Sequence, residues 1–396
     1  MPLQNRELAC YPPAKRNMDR LMKRILLALL FLPSLALAEQ EVGGGATEGR
    51  PTPLTFEAGA LQVQLGGRAQ VQATFLAGDD SLLSAGDLAE DAGFRLRRAR
   101  LGANALIHRA RFGVEVDLLE SNGSALHEAY VGYDSQYALL MTGLVKVPFS
   151  RSALLSSESL QLADRALGVD GIAPFQQLGA VLGGKVWDDR VRLLVGVFNG
   201  MHRSGTFANG WDRIGPSVGN RFGGYALATR LDFEPLGLLG SGVADLAQSS
   251  SFRFGVGGGF LLNQGESIET MGFAGDLALK AYGVGLLAEF IQTTTKPTDQ
   301  PTQTGGLSAE TTSRALVAQL GYTALANTLE VAARFELVDE NTDVEDEGDF
   351  YAIGAAVSGY LLEGHVKLQL QYLLRLENAG VELDNDSLLL QMEGRF

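Results

Sequence analysis

The chain has 396 residues, 46% of them apolar and 8% aromatic, with 49 glycines, one cysteine and a formal net charge of -14. That apolar content excludes a disordered chain, a single cysteine excludes an internal disulfide framework, and the acidic balance disfavours nucleic acid as a partner, because phosphate backbones are held by basic surfaces. The same tally gives no sign of a cofactor.

The one long apolar run spans 25–38. Lys23 and Arg24 precede it, and it closes on Ala36, Leu37 and Ala38. A basic start, a short apolar stretch and a small-x-small ending predict a secretory signal peptide cut after Ala38. The run is too short to span a bilayer as a helix, which needs about 20 apolar residues. Residues 1–38 are therefore expected to be an upstream segment plus signal, with translation starting at Met18 or Met22. Cys10 lies before the cut, which excludes a lipoprotein. Export removes six of 32 basic and two of 46 acidic residues, leaving 26 against 44 and a net charge of -18.

Residues 39–65 are expected to form a periplasmic N-terminal segment. From 66 onward, apolar and polar residues alternate with period two, as in strands with unlike faces. In 366–376, Val366, Leu368, Leu370, Tyr372 and Leu374 share one face, while Lys367, Gln369, Gln371 and Arg375 share the other. The pattern predicts sixteen strands, at 66–76, 94–107, 110–120, 125–134, 137–147, 178–187, 190–199, 221–233, 251–262, 270–280, 283–294, 312–323, 327–338, 349–360, 364–376 and 386–396. Proline interrupts strand ladders, and none falls inside these ranges.

Tight connections at 108–109 and 188–189 alternate with long ones at 148–177, 200–220 and 296–311. An even number of strands of about ten residues, with short turns on one rim and long loops on the other, predicts an all-β fold, a sixteen-stranded antiparallel transmembrane β-barrel over 66–396. A closed barrel leaves no unpaired strand edge in lipid. The alternative, a soluble β-sandwich, would use strands half as long and would not pair an apolar face with one carrying charges of both signs. The chain also ends in Phe396 behind Met392, Leu390 and Leu388 at two-residue spacing, an ending similar to the last strand of outer-membrane barrels.

Four stretches carry a family resemblance: Gly93-Phe94-Arg95-Leu96-Arg97-Arg98-Ala99-Arg100-Leu101-Gly102, Glu128-Ala129-Tyr130-Val131-Gly132-Tyr133, Lys146-Val147-Pro148-Phe149-Ser150, and Gly196-Val197-Phe198-Asn199-Gly200. In order and spacing, residues 93–199 resemble the phosphate-selective porin O and P family. The resemblance implies a trimeric sixteen-stranded channel in the bacterial cell outer membrane, whose third extracellular loop folds into the lumen. It does not by itself imply phosphate as the solute.

Charges on polar strand faces are expected to point inward, since Arg or Lys facing lipid at mid-membrane costs about 2–4 kcal/mol. That rule assigns fifteen basic residues, Arg314 among them, and nine acidic residues to the lumen, for a surplus near +6. Arg98, Arg100 and Lys146, with few acids on their own faces, are the expected solute contacts, and Arg151, Arg190 and Arg192 are further pore-lining candidates. Arg95 and Arg97 are expected at the rim. In 148–177, the counterpart of the constricting loop, Glu158, Asp164, Arg165 and Asp170 supply the charge, and Leu154, Leu155, Leu160, Leu162 and Phe175 can pack on the wall. For any single Arg–Glu pair, mutual neutralisation across strands is the competing reading.

Gly215-Pro216-Ser217-Val218-Gly219 matches the nucleophile-elbow string but lacks a strand-to-helix context. Seven acids lie within 339–349, yet the spacing fails as a calcium loop because Gly354 stands where the bidentate acid belongs. A solvated acidic loop that binds divalent ions beside lipopolysaccharide is the expectation there. No metal or catalytic cluster is legible. The expected function is passive diffusion of small hydrophilic solutes, anions such as phosphate first, by a homotrimer held in outer-membrane lipid. The alternatives are a barrel-type outer-membrane enzyme (lipase or protease) and a surface receptor or adhesin.

Overall fold

In the computed structural model residues 46–396 form one compact unit. The structure describes residues 54–76, 92–119, 126–203, 207, 210–211, 224–265, 268–298, 309–380 and 385–396. The expected signal peptide, its cleavage point and the Gly215–Gly219 string lie outside the described residues.

Alternation produces the strands where it was read. They are β1 Leu54–Ala58, β2 Leu61–Leu76, β3 Gly93–Ile107, β4 Ala110–Asp117, β5 Leu126–Asp134, β6 Ala138–Lys146, β7 Gln176–Val186, β8 Val191–Asn199, β9 Tyr225–Phe233, β10 Arg253–Gln264, β11 Ile268–Ala281, β12 Val284–Pro297, β13 Thr311–Leu325, β14 Leu329–Asp339, β15 Asp349–Leu361, β16 Val366–Glu377 and β17 Ser387–Arg395. Each of β2 to β17 pairs antiparallel with its sequence neighbours. The ring closes where β17 pairs with β2, from Ser387↔Leu76 to Arg395↔Arg68. The result is a closed sixteen-stranded antiparallel barrel.

The first wall strand starts at Leu61, earlier than the pattern at 66 indicates, and part of the expected periplasmic segment is strand. The reason is edge pairing. β17 ends beside Gly67, whose backbone exchanges hydrogen bonds with Phe396 at 3.1 and 3.0 Å. Residues 61–65 would then present an open edge, and β1 folds back to cover it, with Leu54↔Leu65 and Ala58↔Leu61 paired. A Cβ on Gly67 would come within 2.7 Å of the Phe396 ring and 2.8 Å of the Leu101 side chain, so any larger residue here would displace the terminal aromatic.

The burial pattern is inverted relative to a soluble protein. Gln70, Gln72, Gln369 and Glu393 are at most 1% exposed, whereas Leu370, Leu390 and Met392 on the same strands are 49%, 47% and 53% exposed. On β11, Met271, Phe273 and Leu277 face out, and Thr270, Asp276 and Lys280 face in. An outer wall of this kind is stable only in lipid, and an interior that polar needs water or partners. Exposed aromatics, Trp187, Tyr282 and Phe396 among them, mark the turn end. No helix among the described residues is long and apolar enough to cross a membrane.

Two features depart from the sequence reading. Arg314 lies on the outward parity of β13, at its loop end, with its guanidinium 2.9 Å from Asp339. It is a rim residue, because the strand's phase is fixed by buried Ser313, Ala315 and Val317. The turn rim is also not uniformly short, since β9 and β10 are joined by residues 234–252.

Candidate functional site

The connection between β6 and β7, residues 147–175, carries two short helices, α1 Arg151–Leu154 and α2 Leu167–Ile172. Val147, Phe149, Leu162, Val169 and Ile172 in it are at most 1% exposed. Its polar groups bond to inward-facing residues of distant strands. The amides of Arg151 and Ser152 donate to the Glu289 carboxylate on β12 (2.8 and 3.1 Å), and the Ala163 amide donates to Gln371 on β16 (2.8 Å). Gln161 donates to Glu330 on β14 (2.6 Å), and Lys367 on β16 donates to the Leu160 carbonyl (2.5 Å). Contacts to opposite walls at once require the segment to cross the barrel interior. Its apolar side packs against Ile268, Ile291, Ala315, Val317 and Val338 on the β11–β14 part of the wall. Leu162 sits with Ala332 and Ala356, and Leu155 lies against a smaller apolar cluster.

Glycines on β10 permit this approach. A Cβ on Gly259 would stand 2.1 Å from the Phe149 carbonyl oxygen, and one on Gly257 would meet the Arg230 guanidinium at 2.3 Å. The loop backbone thus lies directly on the strand.

The loop is anchored at its start by a charge cluster. Arg151 reaches Asp276 (2.5 Å), Glu234 (3.1 Å) and Asp232 (3.2 Å), while Arg230 reaches Asp232 and Asp276 at 2.7 Å each. Arg192 joins through Glu234 at 3.2 Å. Arg151 is therefore an anchor held among carboxylates, not a free pore-lining charge; every charge in so buried a site needs a partner. Arg190, another expected lining residue, sits on the β7–β8 turn, where it donates to the Pro235 carbonyl (3.0 Å) and lies over Trp187.

The β2–β4 side carries the arginines. Arg100 donates to Asp117 (2.7 Å), lies 3.3 Å from Glu115 and touches His127 Nε2 at 2.7 Å. Arg98 donates to Gln70 (2.8 Å) and lies 3.7 Å from Asp164. Lys146 donates to the carbonyls of Leu154 (2.9 Å) and Leu155 (3.4 Å). These three have few acids on their own faces, and their partners come from elsewhere: the acids of Arg98 and Arg100 from the inserted segment and the next strand, while Lys146 holds loop backbone. Arg165 is a second staple, donating to the carbonyls of Ser152 and Leu155 at 2.5 and 2.6 Å. Asp170 is half-buried in α2.

Arg95 and Arg97, expected at the rim, also reach Asp164, at 3.9 and 3.1 Å. The β2–β3 register jumps between Gln70↔Arg98 and Val71↔Leu96, leaving Arg97 as an unpaired extra residue. This bulge resets the phase of β3 so that Arg97 and its neighbour Arg98 serve one side. The signal was in the sequence: Arg95 and Arg97 alternate in one phase, Arg98 and Arg100 in the other, and a regular strand cannot point both pairs inward.

Between this wall and the loop lies a cavity of about 270 Å³ lined by Gln64, Arg68, Arg100, Asn104, Glu115, Ser156, Glu158 and Arg395. Arg68 spans it, 3.4 Å from Glu115 and 3.9 Å from Glu158. Arg68 and Arg395 are among the fifteen basic residues that the polar-face rule assigns to the lumen, though not among the expected solute contacts; both lie at the β2–β17 closure, a contact no local pattern reports. The 339–349 stretch is not wholly solvated, since Asp339 and Asp349 are 8% and 9% exposed. Among the described residues no group of acids, histidines or cysteines is arranged for a metal ion.

Residues 63–246 match the family described as Phosphate-selective porin O and P. No curated protein sequence matches the chain. Among solved structures, the barrel is similar to an anion-selective porin from Comamonas acidovorans, with 14% identity and a TM-score of 0.56 over 85% of this chain and 100% of that one. It is similar as well to the trimer form of OmpT, an outer membrane protein of Vibrio cholerae, with 10% identity and a TM-score of 0.55 over 85% and 100% of the two chains. A third is the outer membrane channel DcaP of Acinetobacter baumannii, with 12% identity and a TM-score of 0.52 over 86% and 99%. At such identities the likeness bears on the fold alone. With the family match over residues 63–246 and the inverted, closed barrel together, the chain is a porin-type β-barrel of the bacterial outer membrane, similar to the phosphate-selective porin O and P family.

Proposed function

We propose that the barrel is a non-enzymatic channel for passive diffusion of small hydrophilic solutes, with small anions such as phosphate preferred, working as a homotrimer surrounded by outer-membrane lipid and lipopolysaccharide. The observation that carries the preference is the cavity lining, in which Arg68, Arg100 and Arg395 face two carboxylates, Glu115 and Glu158. Within that lining the guanidiniums outnumber the carboxylates, while Asp117 (2.7 Å from Arg100) and Glu393 (3.6 Å from Arg395) stand behind them, and the low-dielectric wall focuses the field of the charges that reach the water column. Acids on outer loops, beyond a Debye length of roughly 8 Å in physiological salt, contribute little, so a chain acidic overall can still favour anions. Mixed charge in the lining supports general selectivity by sign over a dedicated dianion site, which would cluster guanidiniums without carboxylates.

The test is the zero-current potential of refolded protein in a bilayer under a salt gradient. Anion preference is expected, and Arg68→Gln with Arg395→Gln should move the potential towards cations. Lys146→Gln, which loses only loop-backbone contacts, should leave the potential in place and increase current noise. Cation preference in the parent protein, or a silent bilayer with hydrolytic activity, would overturn the reading.

A further inference from the structure

Turn-side connections are short at 108–109, 135–137, 187–190, 282–283, 326–328 and 362–365, but 234–252 joins β9 to β10. This segment folds into the barrel mouth. Leu239, Val243 and Leu246 are 3%, 7% and 6% exposed, and Leu239 and Val243 pack on Ala278 and Leu287, which face the lumen, together with Leu155 of the inserted loop. A Cβ on Gly285 would lie 2.1 Å from the Val243 carbonyl oxygen, so the segment rests directly on the inner wall.

It is fixed along its length. Asp245 accepts from the amides of Ser249 (3.1 Å) and Gly283 (2.8 Å), the latter on the β11–β12 turn. The Asn327 amide of the β13–β14 turn donates to the Leu246 carbonyl (2.7 Å). At its near end the segment meets the inserted loop, where the Ser159 hydroxyl donates to the Ser241 carbonyl at 3.1 Å.

We propose that residues 236–250 form a fixed second constriction at the turn end of the barrel, closing against the β6–β7 loop at Ser159–Ser241 and Leu155, so that solute leaves only along the β2–β4 arginine wall. The proposal rests on the channel reading above. The passage is then narrowed twice, once by a loop from each rim. Selection by sign belongs to the arginine wall, and selection by size belongs to the junction of the two segments.

The contact is tested without reference to conduction. An ideal Cβ on Gly242 lies 3.3 Å from the Ser159 Cβ, close to the roughly 3.5–4.5 Å of a disulfide, and Cys10 is the chain's single cysteine. Ser159→Cys with Gly242→Cys should cross-link on oxidation of the folded barrel; a folded barrel that stays uncross-linked overturns the junction. Replacing 238–248 by a five-residue Gly/Ser linker should raise single-channel conductance by more than about 1.5-fold, since conduction follows pore width, with the zero-current potential unmoved. If that variant does not fold, Ser241→Cys, at an exposed position, labelled with a bulky water-soluble thiol reagent should lose conductance instead. A conducting parent whose folded linker variant, or labelled Ser241→Cys variant, conducts identically overturns the constriction alone. A folded parent that never conducts overturns the channel reading and this constriction with it.

Discussion

Arg98 and Asp164 stand 3.7 Å apart between the barrel wall and the loop that crosses the lumen. Because Arg97 and Arg95 reach the same carboxylate at 3.1 and 3.9 Å, one acid of the loop answers three guanidiniums of one strand. Asp164→Asn keeps the shape and removes the charge. The expected result is a zero-current potential moved further towards anions. Breaking a buried pair from one side typically costs about 3–5 kcal/mol, so a lower unfolding midpoint is expected as well. An unmoved potential would show that these arginines do not act on permeating ions.

Gly259 tests whether the loop is held by close backbone approach. Gly259→Ala puts a methyl group 2.1 Å from the Phe149 carbonyl oxygen, and neither backbone can yield without lifting the loop base off β10. Overpacking of this kind costs typically about 1–3 kcal/mol, read as a lower unfolding midpoint and a less steady current. Gly275→Ala on the neighbouring strand is the control, since nothing lies within 4 Å of its added methyl. Equal behaviour of the two variants would remove the contact from the account of loop position.

Glu340, in the 340–348 loop beyond β14, gives a pH dependence. Burial pushes its carboxyl up from 4.5 to about 7; Arg375 and Arg203 oppose the shift, and Asp346 and Asp349 add to it. The folded state therefore holds a proton that the unfolded chain has released. Its contribution to stability is complete below about 4.5 and is lost as pH rises through about 7. Glu340→Gln should flatten the stability profile between those values, measured as unfolding midpoint against pH. A profile that keeps its slope would assign the titration elsewhere.

Period-two alternation sufficed for the barrel because lipid outside and polar groups inside impose opposite demands on adjacent residues, and those demands are local. The terminal Phe396 and the even strand count carried closure for the same reason. The sign of charge along each strand was legible, but the partner of each charge was not. Asp164 is separated by 67 residues from Arg97, and Glu289 by 138 from the Arg151 amide, and a barrel brings such positions together only when its ring closes and a loop enters it. For that reason Arg98, Arg100 and Lys146, unpaired along their own strands, proved to be held by the next strand or by the loop. The bulge at Arg97 lies between these cases: its double phase of arginines was written in the chain, and only the register against β2 decided that both phases face inward. Closure also decided that Arg68 and Arg395, at opposite ends of the sequence, line one cavity, and inward folding of 234–252 decided which half of the lumen stays open.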